Sequence, residues 1–350
     1  MPVSRRELLA AASLLCLPAQ RLFADEPAPS PNGQEINDHT QAAVQKGVEW
    51  MRKTMHRGGG CGVDLGQPPD IGCTAMVGLS LLSQGNSPLE GPRSQEVQEI
   101  ISFMLKTVES MPSEDITTAQ HTQLQNKIGR HAHTFFATLF LSQVVGQGLD
   151  PDQIYQALQR LVAVIVRTQD SHGSWGSDAW APVLGTVMGW VALRSAHLAG
   201  LKVGASPERT AEHLIKQMRD QLGNDSGWMH TLYKNATGIR VLYEMGVDQD
   251  EISRNAFKSV LALVERDNTA FTQAGGEEYL AFHLITETML QKGGDDWARW
   301  YPVIREKILS VQNRDGSWTG HHCITSRTFC TAAACLVLTS PNRYLPISQP

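Results

Sequence analysis

Two kinds of apolar stretch alternate along the chain. Apolar positions recur every three or four residues over 44–55, 97–108, 154–166, 211–222, 252–264 and 297–311, which predicts six one-sided helices. Between them, 71–82, 134–145, 184–199, 236–245, 279–290 and 329–338 are apolar or small on nearly every face and predict helices buried all round. The boundary signals agree. Asp150-Pro151 and Ser206-Pro207 read as an N-cap followed by a first-turn proline, and Gly146, Gly200, Gly246 and Gly293 stop buried stretches. Strand alternation is nowhere sustained. Six outer helices alternating with six inner ones, at a period of roughly 50 residues, predict an all-α chain folded as a single (α/α)6 toroid.

One spaced pattern, QxxxGxW, recurs between an outer and an inner stretch, as Gln169, Gly173 and Trp175 and again as Gln312, Gly316 and Trp318. It resembles the QW repeat of the terpene cyclase and protein prenyltransferase β-subunit superfamily, which implies an α/α toroid whose turns staple an outer helix to the next inner one. The resemblance extends to "GGDDWARW" from Gly293, "YPVIREKILSVQNRDGSW", "TAAACLVLTSPNRYLPI" and "GRHAHTFFATLFLSQVVG" from Gly129. These look like segments of bacterial exported prenyltransferase/squalene oxidase repeat proteins, and together they span most of the chain. The likeness implies a fold; function has to be argued from a site.

The N-terminus adds a destination. Ser4-Arg5-Arg6-Glu7-Leu8-Leu9, an apolar run from Ala10 to Leu17 and a Pro, Ala and Gln stretch have the order of a twin-arginine export signal. The run is too short to span a bilayer. The expected organisation is a signal over 1–24, a linker over 25–35, the toroid over 36–345 and a tail over 346–350, in a periplasmic or other extracytoplasmic protein without a membrane span. Twin-arginine export moves folded chains, so any metal is loaded before export. A hydrophobic fraction of 41% and a net charge of -5, with no basic run, are those of an ordinary globular protein and argue against nucleic-acid binding. Cys61, Cys73, Cys323, Cys330 and Cys335 follow the signal, an odd number that leaves at least one thiol unpaired in a monomer.

In a toroid the inner helices run in one direction, so residues at their starts gather at one mouth. The expected rim comprises Asp70, Arg130, Asp178, Lys234, Glu277, Glu278, His283, His321 and Arg327. Helix N-termini and the three cations suit a phosphate or carboxylate. Cys73, His131, His133, His322 and Cys330 share the same position and form a chemically sensible zinc set, although neither CxxC nor HExxH spacing supports it. Solvated rim histidines and core thiols are the alternative. Prenyltransferase β subunits hold zinc through an Asp-x-Cys pair and a later histidine, where this chain has Asp70-Ile-Gly-Cys73. Squalene-type cyclases carry a DxDDTA acid motif, where this chain has Asp70-Ile71-Gly72-Cys73-Thr74-Ala75 and lacks both inner aspartates. No catalytic residue is assigned.

Three function classes follow: a noncatalytic toroid binding a peptide, lipid or exported protein in a central cavity; a metal-dependent or isoprenoid-handling enzyme; and a polysaccharide hydrolase or lyase using Asp178, Glu277 or Glu278. The missing cyclase aspartates favour the first. The polar segment 112–130 is long for a connection within one repeat and marks a candidate functional loop. Replacing Arg5 and Arg6 with lysine is expected to hold the precursor in the cytoplasm; an unchanged periplasmic yield on fractionation would refute twin-arginine export.

Overall fold

The computed structural model describes residues 35–110, 121–147, 150–176, 178–220, 232, 237–246, 251–266 and 269–349. The export signal, all of the linker but Glu35, part of the polar connection and Lys234 lie outside the described residues. The described chain is all-helical: α1 Asp38–Arg52, α2 Ile71–Leu82, α3 Ser94–Ser110, α4 Gln123–Ile128, α5 Ala132–Gln143, α6 Pro151–Thr168, α7 Pro182–Leu198, α8 Ser206–Asp220, α9 Gly238–Glu244, α10 Glu251–Arg266, α11 Thr269–Thr272, α12 Gly276–Lys292, α13 Gly294–Ser310 and α14 Arg327–Thr339. Among the described residues the only β features are isolated bridges, Met55 with Cys61 and Gly62 with Pro69. No helix among them is long and apolar enough to cross a membrane.

The two classes of helix behave as their patterns require. Every residue of α2 and α5 is buried, and every residue of α14 but Arg327 at its start. By contrast α1, α3 and α6 bury one face. Removing both apolar faces of an inner helix from water stabilises the fold by roughly 25 cal/mol per Å². The buried helices pack in sequence order, α2 on α5, α5 on α7, α7 on α9, α9 on α12 and α12 on α14, and α14 packs on α2. The inner stretch expected over 236–245 is the short α9, and the polar connection ends in the additional helix α4.

The QxxxGxW turns do more than join an outer helix to an inner one. Trp175 Nε1 donates to Ile165 O and Trp318 Nε1 to Ile308 O, both at 2.8 Å, so each indole satisfies a carbonyl near the end of the preceding outer helix. The glutamines reach the next outer helix. Gln169 Nε2 donates to Gly173 O at 3.1 Å, Ser206 O at 3.0 Å and Thr210 Oγ1 at 2.8 Å, tying α6 to α8. Gln312 Nε2 donates to Gly316 O and Ala43 O, each at 2.9 Å, tying α13 near the end of the chain to α1 near its beginning. Glycine is required in both turns. A Cβ on Gly173 would stand 2.3 Å from Arg209 O and one on Gly316 2.6 Å from Lys46 O, and both φ angles are positive.

A third turn of this kind lies at 55–61, with methionine for glutamine and cysteine for tryptophan. His56 N donates to Gly60 O and Gly59 N to His56 O, matching Asp170 with Ser174 and Gly173 with Asp170, and Asn313 with Ser317 and Gly316 with Asn313. Cys61 N donates to Thr74 Oγ1 at 2.8 Å as Trp318 N donates to Thr331 Oγ1 at 2.9 Å. The Thr-Ala pairs at 74–75 and 331–332 therefore hold equivalent turns onto inner helices.

The segment expected as a tail is packed into the fold. Ile347 N–H donates to Gln143 Oε1 at 3.1 Å, and its carbonyl accepts from Arg240 Nη2 and Gln291 Nε2, both at 3.3 Å, so α5, α9 and α12 converge on one residue. Gly59 is the sharpest test of the third turn, because its Cβ would stand 1.9 Å from Glu99 O while one on Gly58 would meet nothing within 4 Å. Both have positive φ. Gly58→Ala is expected to cost only the left-handed penalty of about 1–2 kcal/mol, and Gly59→Ala clearly more, by denaturant unfolding. Equal costs would refute the close approach.

Candidate metal centre

The first turn of α12 and the loop before α14 meet because residues 275 and 276 are glycines. A Cβ on Gly275 would lie 2.5 Å from His322 O and one on Gly276 2.5 Å from Ile324 Cγ2. With that space free, His321 N donates to Ala274 O at 3.0 Å and Gly276 N to Ile324 O at 2.8 Å. The loop is thus pinned over a helix N-terminus, whose dipole favours the negative charge of Glu277 and Glu278. Both carboxylates are fully buried. Glu278 Oε2 accepts from Gly275 N at 2.6 Å and closes the cap, while Glu277 Oε2 accepts from Ile324 N at 3.1 Å.

The imidazole of His322 sits between these acids. Its Nδ1 lies 3.2 Å from Glu277 Oε1 and its Nε2 3.4 Å from Glu278 Oε2. Next to it, Cys323 takes φ 44°, a left-handed conformation costing a non-glycine residue on the order of 1–3 kcal/mol. The strain aims a thiol back at the same carboxylate. One donor atom each from Glu277, His322 and Cys323 lie within 4.8 Å of one another. Tetrahedral zinc with bonds of 2.0–2.3 Å needs donors about 3.3–3.8 Å apart, so ligation would draw these donors closer together. The Lys127 ammonium on α4 occupies the remaining side, 3.0 Å from Glu277 Oε1 and 3.4 Å from Cys323 Sγ. Partial burial and the Glu277 charge raise the Cys323 thiol, against the opposing effect of Lys127. Burial pulls Lys127 down, but Glu277 and Cys323 outweigh it and the net shift is upward.

A second group adjoins it at the starts of α2 and α5. Asp70 Oδ1 caps α2 by accepting from Cys73 N at 2.8 Å, and Oδ2 lies 3.2 Å from His133 Nε2. Cys73 Sγ lies 3.3 Å from Ser326 Oγ, the N-cap of α14. Gln123 at the start of α4 bridges this side to the metal loop, donating to Thr325 Oγ1 at 2.8 Å and accepting from Thr325 N at 2.9 Å. The starts of α2, α5, α12 and α14 are thereby linked through α4 and the loop 322–326.

The expected zinc set is corrected. Among the described residues, His322 alone of Cys73, His131, His133, His322 and Cys330 belongs to a group of three potential ligands. Residues 131 and 133 point to different sides of a helix, so His133 faces Asp70 while His131 packs on Phe135 and lines another cleft. Cys73 and Cys330 are buried, and burial and neighbouring acids push both thiols far above their usual range. Such thiols are inert.

The expected rim also divides. Arg130 and Asp178, with His131, line a cleft of about 480 Å³ beside the first QxxxGxW turn. Arg327 pairs with Asp315 and lies over the Trp50 ring, 4.7 Å from its centroid, so it braces the second turn. His283 lies further along α12 and is buried, and burial lowers its pKa despite Glu287. His321 is exposed on the loop. Lys127 and Cys323 were missing from the expected set. The run His321-His322-Cys323 and the polar connection before α5 were the signals available.

No family profile matches this chain, and no curated protein matches it in sequence. Burial raises the Asp70 carboxyl, but His133 and the Cys73 N–H outweigh it, and the net shift is downward. A carboxyl lowered on folding contributes stability above its unfolded value, near 3.9, that is lost as pH falls through the folded value. Asp70→Asn keeps a capping acceptor but removes the charge. Its stability deficit is therefore expected to be present near neutral pH and to close as pH falls below about 4; a deficit independent of pH would refute a carboxylate stabilised by folding.

Proposed function

We propose that the chain is an exported (α/α)6 toroid of the prenyltransferase and terpene cyclase kind that holds a zinc-type divalent ion at its mouth, with Glu277, His322 and Cys323 as protein ligands. The observation that carries this reading is the convergence of one carboxylate, one imidazole and one thiol on a common point beside a helix N-terminus. A nitrogen, sulfur and oxygen donor set suits zinc, and three protein ligands leave a fourth position open, as in catalytic rather than structural sites. Bound there, the ion supplies Lewis acidity and lowers the pKa of a coordinated water or thiol. Glu278 buttresses His322 from its second nitrogen, the kind of outer contact that fixes a ligand's orientation and tautomer. The cyclic packing order of the buried helices and the closure of α13 onto α1 support the toroid, and the QxxxGxW resemblance supports the family.

The other classes find less support. Asp70 is committed to a helix cap and to His133, and its carboxyl is shifted towards ionisation, the opposite of what a proton-donating cyclase acid needs. Glu277 and Glu278 are consecutive on one helical turn and Asp178 lines a different cleft, so these three form no carboxylate pair across a sugar site. A central cavity for peptide or lipid is disfavoured by α2, α5 and α14, whose residues other than Arg327 are all buried and where Phe136 packs edge-on against Phe329. The ligand or substrate is accordingly met at the mouth.

Native mass spectrometry of the protein purified without chelators is expected to show one zinc per chain, and Cys323→Ser or His322→Ala to lose it, while Cys73→Ser and Cys330→Ser retain it. Zinc absent from the parent protein, or retained in Cys323→Ser, would overturn the assignment.

A further inference from the structure

We propose that Lys127 is a tethered cation that competes with the metal for this donor set, so that loading the site requires the ammonium to withdraw. This rests on the metal reading above and concerns how the site is regulated. Glu277 is fully buried, and a buried carboxylate without a countercharge is strongly unfavourable. In the structure Lys127 supplies the countercharge. Its side chain is 9% exposed, and its Nζ contacts two of the three proposed ligands, Glu277 at 3.0 Å and Cys323 at 3.4 Å. A divalent ion bound to those same atoms would stand within a few ångströms of the ammonium, and like charges at that range repel strongly in a partly buried site. Glu277 can be neutralised by either cation, but the two would compete for its Oε1, because Oε2 accepts from Ile324 N.

The element that carries Lys127 is built to be held rather than to hold. At six residues α4 is too short to be stable alone. Leu124 and Ile128 bury one face of it in the core, and contacts at both ends fix it further. Gln123 makes two exposed hydrogen bonds to Thr325 on the metal loop, and the carbonyls of Asn126 and Lys127 accept from Trp180 N at 3.2 Å and Ala181 N at 2.9 Å. The Gln123 bonds therefore couple the position of Lys127 to the loop bearing His322 and Cys323. Removing the ammonium while leaving α4 in place should expose the donors to metal.

The test compares zinc affinity, by competition with a chromophoric chelator, in the full chain, in Lys127→Met and in each combined with Cys323→Ser. Thermal midpoints are measured with chelator and with zinc. Lys127→Met is expected to unfold at lower temperature than the parent in chelator, because Glu277 loses its cation. It is also expected to bind zinc about 10-fold or more tightly, the scale of a charge repulsion a few ångströms away, and to gain more than the parent on adding zinc. Cys323→Ser should abolish the zinc response in both backgrounds. Lys127→Gln gives the same comparison if the methionine variant does not fold. Equal or weaker zinc affinity in the neutral variants would overturn the competition while leaving the metal site standing. Failure of folded parent and variants alike to bind zinc would overturn both.

Discussion

The structure depends on the need of helix ends to find partners for backbone groups that no helix can satisfy internally. In this chain the QxxxGxW turn meets that need. Its indole takes a carbonyl from the outer helix just ended, its glutamine takes carbonyls from its own turn and the next outer helix, and its glycine lets the backbones approach until a Cβ would collide. Two such turns tie α6 to α8 and α13 to α1. The second matters most for closure, because it joins elements from opposite ends of the chain. The third, at 55–61, keeps the backbone geometry after losing both signature side chains. The motif is thus a way of satisfying backbone polar groups, of which glutamine and tryptophan are one solution.

A second constraint governs the start of α12. Carboxylates buried at a helix start gain from the dipole but lose their hydration, and the balance is favourable only with further partners. Glu278 has a cap and an imidazole; Glu277 has a loop N–H, the same imidazole and an ammonium. The outcome is a dense polar site next to helices whose side chains, Cys73, Cys330 and Phe329 among them, are buried. Precise placement of ligands by packed neighbours is what a metal or catalytic site demands. The opposite end of the buried helices is treated differently, with the chain's own residues around Ile347 held by three side chains from three helices.

By itself the sequence determined what depends on local periodicity and on backbone requirements. Helix class, order and approximate limits followed from one-sided and all-round apolar patterns, and the two full turns from Gln169, Gly173, Trp175, Gln312, Gly316 and Trp318. Asp70, Glu277, Glu278 and His322 were legible as residues at the starts of inner helices. Only the tertiary structure decided which side chains meet. Two histidines two residues apart diverge around their helix, so His131 and His133 serve different surroundings. Cys323 joins the site through a left-handed backbone turn that no pattern announces, and Lys127 arrives on a short helix inside a connection with weak periodicity. The degenerate turn at 55–61 escaped for the same reason: its hydrogen bonds belong to the backbone, and backbone bonding leaves no imprint on residue type once glycine is in place.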